Sequence, residues 1–313
     1  MATRTKRQPK RRPVQAPKRR VEQKKIGRGW LWAAGAGALA LAIAIPAVIL
    51  AAGGGSDEAA RSSSAVLPDT PDYHSLLVAA QNADALTLGT HNGLYQSSDG
   101  GRSWQSTALA GQDAMNLGRA GGGVTWTAGH NVLAKSTDGG RTWQDVRPDG
   151  LPHLDIHGFA VDPRDQKTLW AALAGQGIYR SRDGGESFEL VTREVGGGVM
   201  ALAVTPDGRV LAGDMQQGLF VSANDGKTWK PTLQAGLMGV AVNPKEPERV
   251  VATGPGILLS TDGGRNWDQV LPLEAGAGPV AWAPSNPEVG YVVGFDKTLY
   301  KTEDAGATWQ PVV

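Results

Sequence analysis

The stretch STDGGRTW at residues 136–143 is one of six copies of a motif that decides the fold of this chain. The other copies are SSDGGRSW at 97–104, SRDGGESF at 181–188, SANDGKTW at 222–229, STDGGRNW at 260–267 and TEDAGATW at 302–309. Successive copies are 38 to 45 residues apart. A period of about 40 residues indicates a repeat protein in which each unit forms one supersecondary element.

The composition of the motif predicts a tight turn that also carries a packing side chain. A short carboxylate or amide accepts backbone N–H bonds across a turn, and glycine supplies positive φ. This group is the third residue of each copy: Asp99, Asp138, Asp183, Asn224, Asp262 and Asp304. The last residue is aromatic and predicts burial against neighbouring strands: Trp104, Trp143, Phe188, Trp229, Trp267 and Trp309.

Each turn lies between two short apolar strands, and two further strands precede it. In the fourth unit these earlier strands are VMALAVTP at 199–206 and RVLAGDM at 209–215. Four short strands per unit of about 40 residues predict the blade of a β-propeller, and such blades must stack in a ring to bury both faces. Six units fill residues 73–313. The predicted fold class is therefore all-β, a six-bladed propeller of four-stranded blades.

The motif S/T-x-D-x-G-x-T-W resembles the Asp-box, or BNR repeat, of sialidases and related propellers. The phrases HGFAVDP at 157–163 and GVAVNPKEPERV at 239–250 also resemble bacterial glycosyl-hydrolase-like and photosystem II assembly factor-like propellers. The resemblance covers essentially all of 74–313. It implies that the boxes are structural turns on the outer rim, away from the binding face, and it leaves the function open because one fold hosts many activities.

The segment that precedes the propeller, 1–72, has three parts of different composition. Residues 1–28 carry 12 Lys and Arg and one acid, a net charge of +11, which predicts a basic cytoplasmic tail. Residues 29–52 contain the charge-free apolar run 30–52, long enough to cross a bilayer, and predict one transmembrane helix. Residues 53–72 have the composition of a flexible linker. The chain is thus expected to be a single-pass cell-envelope protein with an extracytoplasmic propeller.

Three alternatives compete with this interpretation. The first is a cleaved signal peptide, although both the basic and the apolar segments are long for such a leader. The second is a buried core helix, although the apolar run has no polar face. The third is contact of the basic tail with nucleic acid or anionic lipid. Residues 29–313 have 19 basic and 29 acidic residues, a net charge of −10, so the propeller is not expected to bind nucleic acid. The chain has no cysteine and therefore no disulfide or thiolate metal site.

A sialidase would need an Arg-Ile-Pro signature before the first box, and the sequence has none. Another type of glycosidase needs only two facing carboxylates. The candidate loop acids are Asp155, Glu194, Asp214, Glu274 and Asp296, and their spacing singles out no pair. The sequence favours a non-catalytic binding or assembly module for a protein, peptide or glycan, with a glycoside hydrolase as the alternative.

Alignment of the repeats places all five histidines and the four internal methionines on one face of the ring. This top face carries the loops between the second and third strands and the links between blades. The candidate binding residues are His74, His91, Met115, His130, His153, Asp155, His157, Met200, Asp214, Met238 and Asp296. Those that begin inner strands are expected to form a ring about 10 Å or more across at the channel mouth.

The run H-x-D-x-H at 153–157 predicts three side chains on one side of an extended segment. Imidazoles with a carboxylate suit Zn²⁺ or Cu(II), and nearby thioethers suit Cu(I). His153, Asp155 and His157, with Met115 or Met200, are therefore a candidate copper or zinc site. The competing interpretation is that the methionines line the channel and the histidines are ordinary turn residues.

Overall fold

Each repeat unit folds as one antiparallel sheet of four consecutive strands in the computed structural model, which describes residues 67–195 and 197–313. Blades 1 to 3 are formed by β1 (Ser75–Val78), β2 (Leu86–Thr90), β3 (Gly93–Ser97), β4 (Gln105–Ala108), β5 (Asn116–Arg119), β6 (Thr125–Gly129), β7 (Val132–Ser136), β8 (Gln144–Asp145), β9 (Ile156–Val161), β10 (Leu169–Leu173), β11 (Gly177–Ser181) and β12 (Glu189–Thr192).

Blades 4 to 6 repeat this order with β13 (Val199–Val204), β14 (Val210–Asp214), β15 (Gly218–Ser222), β16 (Lys230–Leu233), β17 (Gly239–Val242), β18 (Val250–Thr253), β19 (Gly256–Ser260), β20 (Asp268–Pro272), β21 (Ala277–Ala283), β22 (Asn286–Gly294), β23 (Leu299–Thr302) and β24 (Gln310–Pro311). The predicted six-bladed, all-β propeller is confirmed. The ring closes by packing between blades 6 and 1, where Leu76 and Leu88 share a core with Tyr291 and Leu299.

Burial is highest on the middle strands of most blades and lowest on the outermost strand, which explains the composition of the strands. The second strand of blade 3, Leu169–Leu173, is buried at all five positions because it is covered by neighbouring blades on both faces. The outermost strand of blade 1, Gln105–Ala108, is polar and mostly exposed. Apolar runs therefore mark inner strands, and polar runs after each box mark edges that face water.

The interface between blades 1 and 2 differs from the others in the described part of the chain. Each other pair of neighbouring blades shares an apolar cluster. Blades 2 and 3 each carry a buried Trp on the second strand, Trp126 or Trp170, and blade 1 has Thr87 at the same register. The smaller side chain leaves a groove of about 640 Å³ that Thr87, Gln96 and Trp143 help to line.

The Asp-box is a hydrogen-bonded turn centred on its carboxylate. Oδ1 of Asp138 accepts from the Ser136 hydroxyl at 2.8 Å and from the N–H groups of Arg141 and Thr142 at 3.0 and 2.9 Å. Oδ2 accepts from the Thr142 hydroxyl at 2.6 Å. These bonds hold the pKa of Asp138 well below its usual range, the hydroxyl of Thr142 contributing most. The chain folds this way because a single charged side chain satisfies four donors of the turn.

Asp138→Asn is expected to be tolerated far better than Asp138→Ala, because box four already uses Asn224, whose Oδ1 accepts from Thr228 N–H at 3.0 Å. A folded-state pKa below the unfolded value means that the ionised Asp138 stabilises the fold above pH of about 4 and loses this contribution as the pH falls through its folded pKa. The stability gap between the parent and Asp138→Asn should therefore narrow on acidification, measured as urea midpoints at neutral and acidic pH. A gap that widens in acid would contradict this assignment.

The box tryptophans are less buried than expected. Phe188 and Trp309 are buried, but Trp104, Trp143, Trp229 and Trp267 keep part of the ring exposed. Every box tryptophan, including the buried Trp309, folds over its own turn: Nε1 of Trp143 donates to the carbonyl of Gly140 at 3.1 Å, and the other box tryptophans repeat this bond. Trp104, Trp229 and Trp267 still pack against apolar clusters, so the predicted burial against neighbouring strands is confirmed in part for these three.

The chain is already packed on the propeller at Leu67, within the segment predicted as linker. Leu67 is buried in the core between blades 1 and 6, and the Tyr73 hydroxyl donates to the Pro68 carbonyl at 2.7 Å. The predicted tail and transmembrane segment, residues 1–52, lie outside the described residues. In the part that is described, the structure contains no helix long and apolar enough to cross a membrane.

Candidate functional site

The mouth of the central channel is lined by residues that begin the inner strands. They enclose a narrow cavity of about 10 Å³, lined by Tyr73, His74, Met115, His157, Met200, Met238, Gly278 and Pro279. The structure thus brings together the five residues that were expected to form a ring: His74, Met115, His157, Met200 and Met238. The mouth is not open as expected, because the imidazole and thioether side chains fill it.

A second group extends from this mouth across the top face of blades 1 to 3. We call it the His/Asp arc, and it consists of Asp72, His74, His91, Asp113, His130, Asp155 and His157. Its members form three overlapping groups in which each possible ligand atom lies within 4.8 Å of the others. The arc therefore concentrates four of the chain's five imidazoles beside three carboxylates.

The repeat explains how the arc is assembled. The spacing Asp-x-His or Asp-x-Met recurs directly before the inner strands of the first three blades, at 72–74, 113–115 and 155–157. The loop histidine between the second and third strands then meets these acids: the N–H of His91 donates to Asp72 at 3.3 Å, and the N–H of His130 donates to Asp113 at 3.2 Å. Blades 4 to 6 lack histidine at both positions, so the arc ends at blade 3.

In blade 1, the carboxylate of Asp72 lies between two imidazoles. Nε2 of His74 is 3.2 Å from Asp72 Oδ1 and 3.1 Å from Nδ1 of His91, and His91 also contacts Asp72 directly. Burial is the main cause that lowers the pKa of His74, which favours its neutral form. The Asp72 carboxylate and the two imidazoles therefore form one compact polar group in blade 1.

The group at blades 2 and 3 is more evenly spaced. Nε2 of His130 is 3.2 Å from Nε2 of His157 and 3.3 Å from Oδ1 of Asp155, and His157 Nε2 is 3.1 Å from the same oxygen. On its other side, Nδ1 of His130 is 2.5 Å from Oδ2 of Asp113. An antiparallel bridge between His130 and Asp155 fixes the two backbones next to each other.

Other sequence-predicted residues lie outside the arc. His153 turns its Nδ1 to the backbone N–H of Asp155 at 3.2 Å. Asp214 is 1% exposed, and its carboxylate accepts from the N–H groups of Gly198, Gln216 and Gln217. Asp296 accepts from the Tyr300 hydroxyl at 2.8 Å. The last two carboxylates therefore hold their own loops.

Two members of the arc, Asp72 and Asp113, were not among the sequence-predicted site residues. Asp72 falls in the segment assigned to the linker, and Asp113 lies in the link between blades 1 and 2. The signal that finds them is the Asp-x-His/Met spacing before successive inner strands, which appears once the repeats are aligned on the box. Phe295 was also missed. It lies in the loop between the second and third strands of blade 6, and its side chain is 42% exposed on the top face.

The fold and the six boxes define an Asp-box β-propeller whose top face carries polar side chains. The chain belongs to the photosynthesis system II assembly factor YCF48 family, whose model matches residues 72–310. The resemblance to photosystem II assembly factor-like propellers is confirmed. A comparison with curated protein sequences gives no match.

Solved structures share the fold at low sequence identity. YCF48 bound to a D1 peptide is 20% identical, with 79% of this chain and 84% of that chain covered and a TM-score of 0.53. A GH74 xyloglucanase from Xanthomonas campestris is 17% identical, with 80% and 46% covered and a TM-score of 0.58. The GH74 enzyme from Niastella koreensis is 18% identical, with 76% and 46% covered and a TM-score of 0.54. The chain thus spans less than half of the GH74 enzymes it matches.

Proposed function

We propose that this protein is a non-catalytic binding and assembly module that recognises a protein or peptide segment on its top face. The observation that carries the proposal is the exposure of two large apolar side chains, Met215 and Phe295, on the face that also carries the polar arc. Membership of an assembly-factor family supports it, as does the solved relative with a bound peptide.

Met215 and Phe295 occupy corresponding loops, between the second and third strands of blades 4 and 6. Their side chains are 48% and 42% exposed. Exposed apolar side chains beside polar groups are typical of protein-interaction surfaces, and methionine adapts to varied partners. An extended peptide on this face would place apolar residues against blades 4 and 6 and polar or basic groups against the carboxylates of blades 1 to 3.

The alternative, a glycoside hydrolase, has weaker support. Such an enzyme needs two carboxylates that face a substrate. Of the nominated acids, Asp214 and Asp296 are engaged in local hydrogen bonds and Asp155 lies among imidazoles. The likeness to GH74 enzymes is a likeness of fold. Incubation with xyloglucan is expected to release no reducing ends, and release that depends on one of these acids would favour the hydrolase.

The binding proposal is tested by photo-crosslinking in intact cells. A photo-reactive amino acid at position 215 or 295 is expected to capture the same envelope protein, and Met215→Ser should weaken capture from position 295. Position 190 is the matched control, because Leu190 is 38% exposed but lies on the outer strand β12. Equal capture from all three positions, or none from 215 and 295, would contradict a top-face ligand.

The proposal includes a membrane anchor formed by residues 30–52, with the N-terminus in the cytoplasm and the propeller outside. Its support is the length of the uncharged apolar run and the charge of +11 on the preceding segment 1–28. Anchoring would hold the propeller beside envelope or membrane-protein partners.

Protease added to spheroplasts is expected to digest the propeller and to spare the N-terminal segment 1–28. The physical reason is that the basic flank is retained on the cytoplasmic side while the acidic domain is translocated. Immunoblots against an N-terminal and a C-terminal epitope measure the two parts, and lysed cells serve as the control. A protected propeller, or a mature chain that starts near Gly53, would refute the anchored topology.

A further inference from the structure

The geometry points to a divalent transition-metal site formed by His130, Asp155 and His157, with Zn²⁺ as the best-fitting ion. It differs from the set suggested by the sequence, because His130 from the neighbouring blade replaces His153. This site can be tested separately from the proposed peptide binding, since it can be loaded and measured without a partner.

The distances fit an ion bound by three protein ligands. Tetrahedral Zn²⁺ with bonds of about 2.0–2.2 Å holds its nitrogen and oxygen ligands about 3.3–3.5 Å from one another. The three atoms of this site, two imidazole Nε2 and one carboxylate oxygen, are 3.1, 3.2 and 3.3 Å apart. A closed triangle of this size needs only small side-chain movements to close on one ion. Three protein ligands leave a fourth position for water or an external group.

The contacts of His130 leave its second ring nitrogen free to bind an ion. Nδ1 of His130 donates to Asp113, so Nε2 of a neutral His130 presents a lone pair. His157 can donate one proton from Nε2, and Asp155 Oδ1 at 3.1 Å is its nearest acceptor. The lone pair of His130 then faces a carboxylate oxygen at 3.3 Å. A metal ion placed between these two atoms would be bound by both of them.

The buried carboxylate of Asp113, which contacts the other ring nitrogen of His130, also supports a metal site. It is 8% exposed, and its Oδ2 accepts from His130 while its Oδ1 is buried without a hydrogen-bond partner. A carboxylate behind a metal-bound histidine is a common arrangement that fixes the tautomer and makes the imidazole a better ligand. Asp113 is thus a positioning residue for His130.

The test is Zn²⁺ titration of the untagged, chelator-treated full-length chain by calorimetry. The chain has five histidines and no cysteine, so the two other groups of the arc are the main competitors for the ion. We expect one Zn²⁺ per chain, and no binding by His157→Gln or Asp155→Asn. Asp113→Asn should weaken binding about 10–100-fold through its effect on His130. His153→Gln and His74→Gln are the matched controls and should keep the parent's affinity.

Each outcome decides the proposal. Failure of the parent to bind Zn²⁺ would overturn the proposed metal site. Loss in His153→Gln equal to that in His157→Gln would return the site to the sequence-predicted set. Unfolding curves recorded without Zn²⁺ identify any variant that fails to fold, and His130→Gln then replaces it. With Co²⁺ in place of Zn²⁺, only the parent and the two control variants should show the absorption of tetrahedral coordination. Crosslinking at 215 and 295 without metal tests the peptide proposal separately.

Discussion

Replacing Trp309 with alanine is expected to lower the free energy of unfolding by about 3–5 kcal/mol, the usual loss for a buried Trp. Trp309 is buried in the core between blades 5 and 6, where its ring centroid lies 6.4 Å from that of Trp282. The cavity that remains would adjoin Leu259 and Tyr300, which are held by their own strands and can fill little of it. Urea unfolding of the two proteins measures the difference.

Trp143→Ala is the matched control, because it removes the same side chain from the same position of box two. Both rings donate through Nε1 to a glycine carbonyl of their own turn, at 3.1 Å for Trp143 and 3.0 Å for Trp309. Trp143 is partly exposed and borders the groove between blades 1 and 2, so its loss should be smaller, on the order of 1–2 kcal/mol. Equal losses would mean that the hydrogen bond from the indole to its own turn, and not the burial of the ring, accounts for the stability.

The fold could be predicted from the sequence because each blade is encoded locally. The box predicts a hairpin turn, and the apolar runs predict the inner strands. Alignment of the repeats on the box then predicts which residues lie in each loop. His91 and His130 follow the second strands of blades 1 and 2, as the alignment of the repeats predicts. These features depend on neighbouring residues in one unit, and six copies of the unit reinforce each other.

The composition of the site could be predicted only in part because it depends on contacts between blades. The run at 153–157 suggests His153 as a partner of Asp155, since the two are close in sequence. The structure instead brings His130 to Asp155 from the preceding blade, far from it along the chain. Asp113 becomes part of the arc for the same reason. Stacking of blades, which no local pattern describes, selects these partners.

What the second glycine of each box contacts also depends on the neighbouring blade. Box three packs its second glycine, Gly185, over Trp126 of blade 2, where an added Cβ would lie 2.7 Å from the ring. Box two meets Gln96 of blade 1 at the equivalent place. The sequence of the box alone cannot separate the two cases, because the difference is on the second and third strands of another repeat.

Gly185→Ala is therefore expected to destabilise the propeller by roughly 2–4 kcal/mol, since it adds overpacking against Trp126 to the cost of positive φ. Gly185 has φ +91°, and its Cβ would also lie 3.2 Å from Leu169. Gly184→Ala is the matched control: its φ is +85°, but no atom lies within 4 Å of the added Cβ. Box six already has Ala305 at that position with φ 58°, so the control should lose only the cost of positive φ, about 1–2 kcal/mol. Equal urea midpoints for the two variants would show that contact with Trp126 does not determine the second glycine, which all six boxes contain.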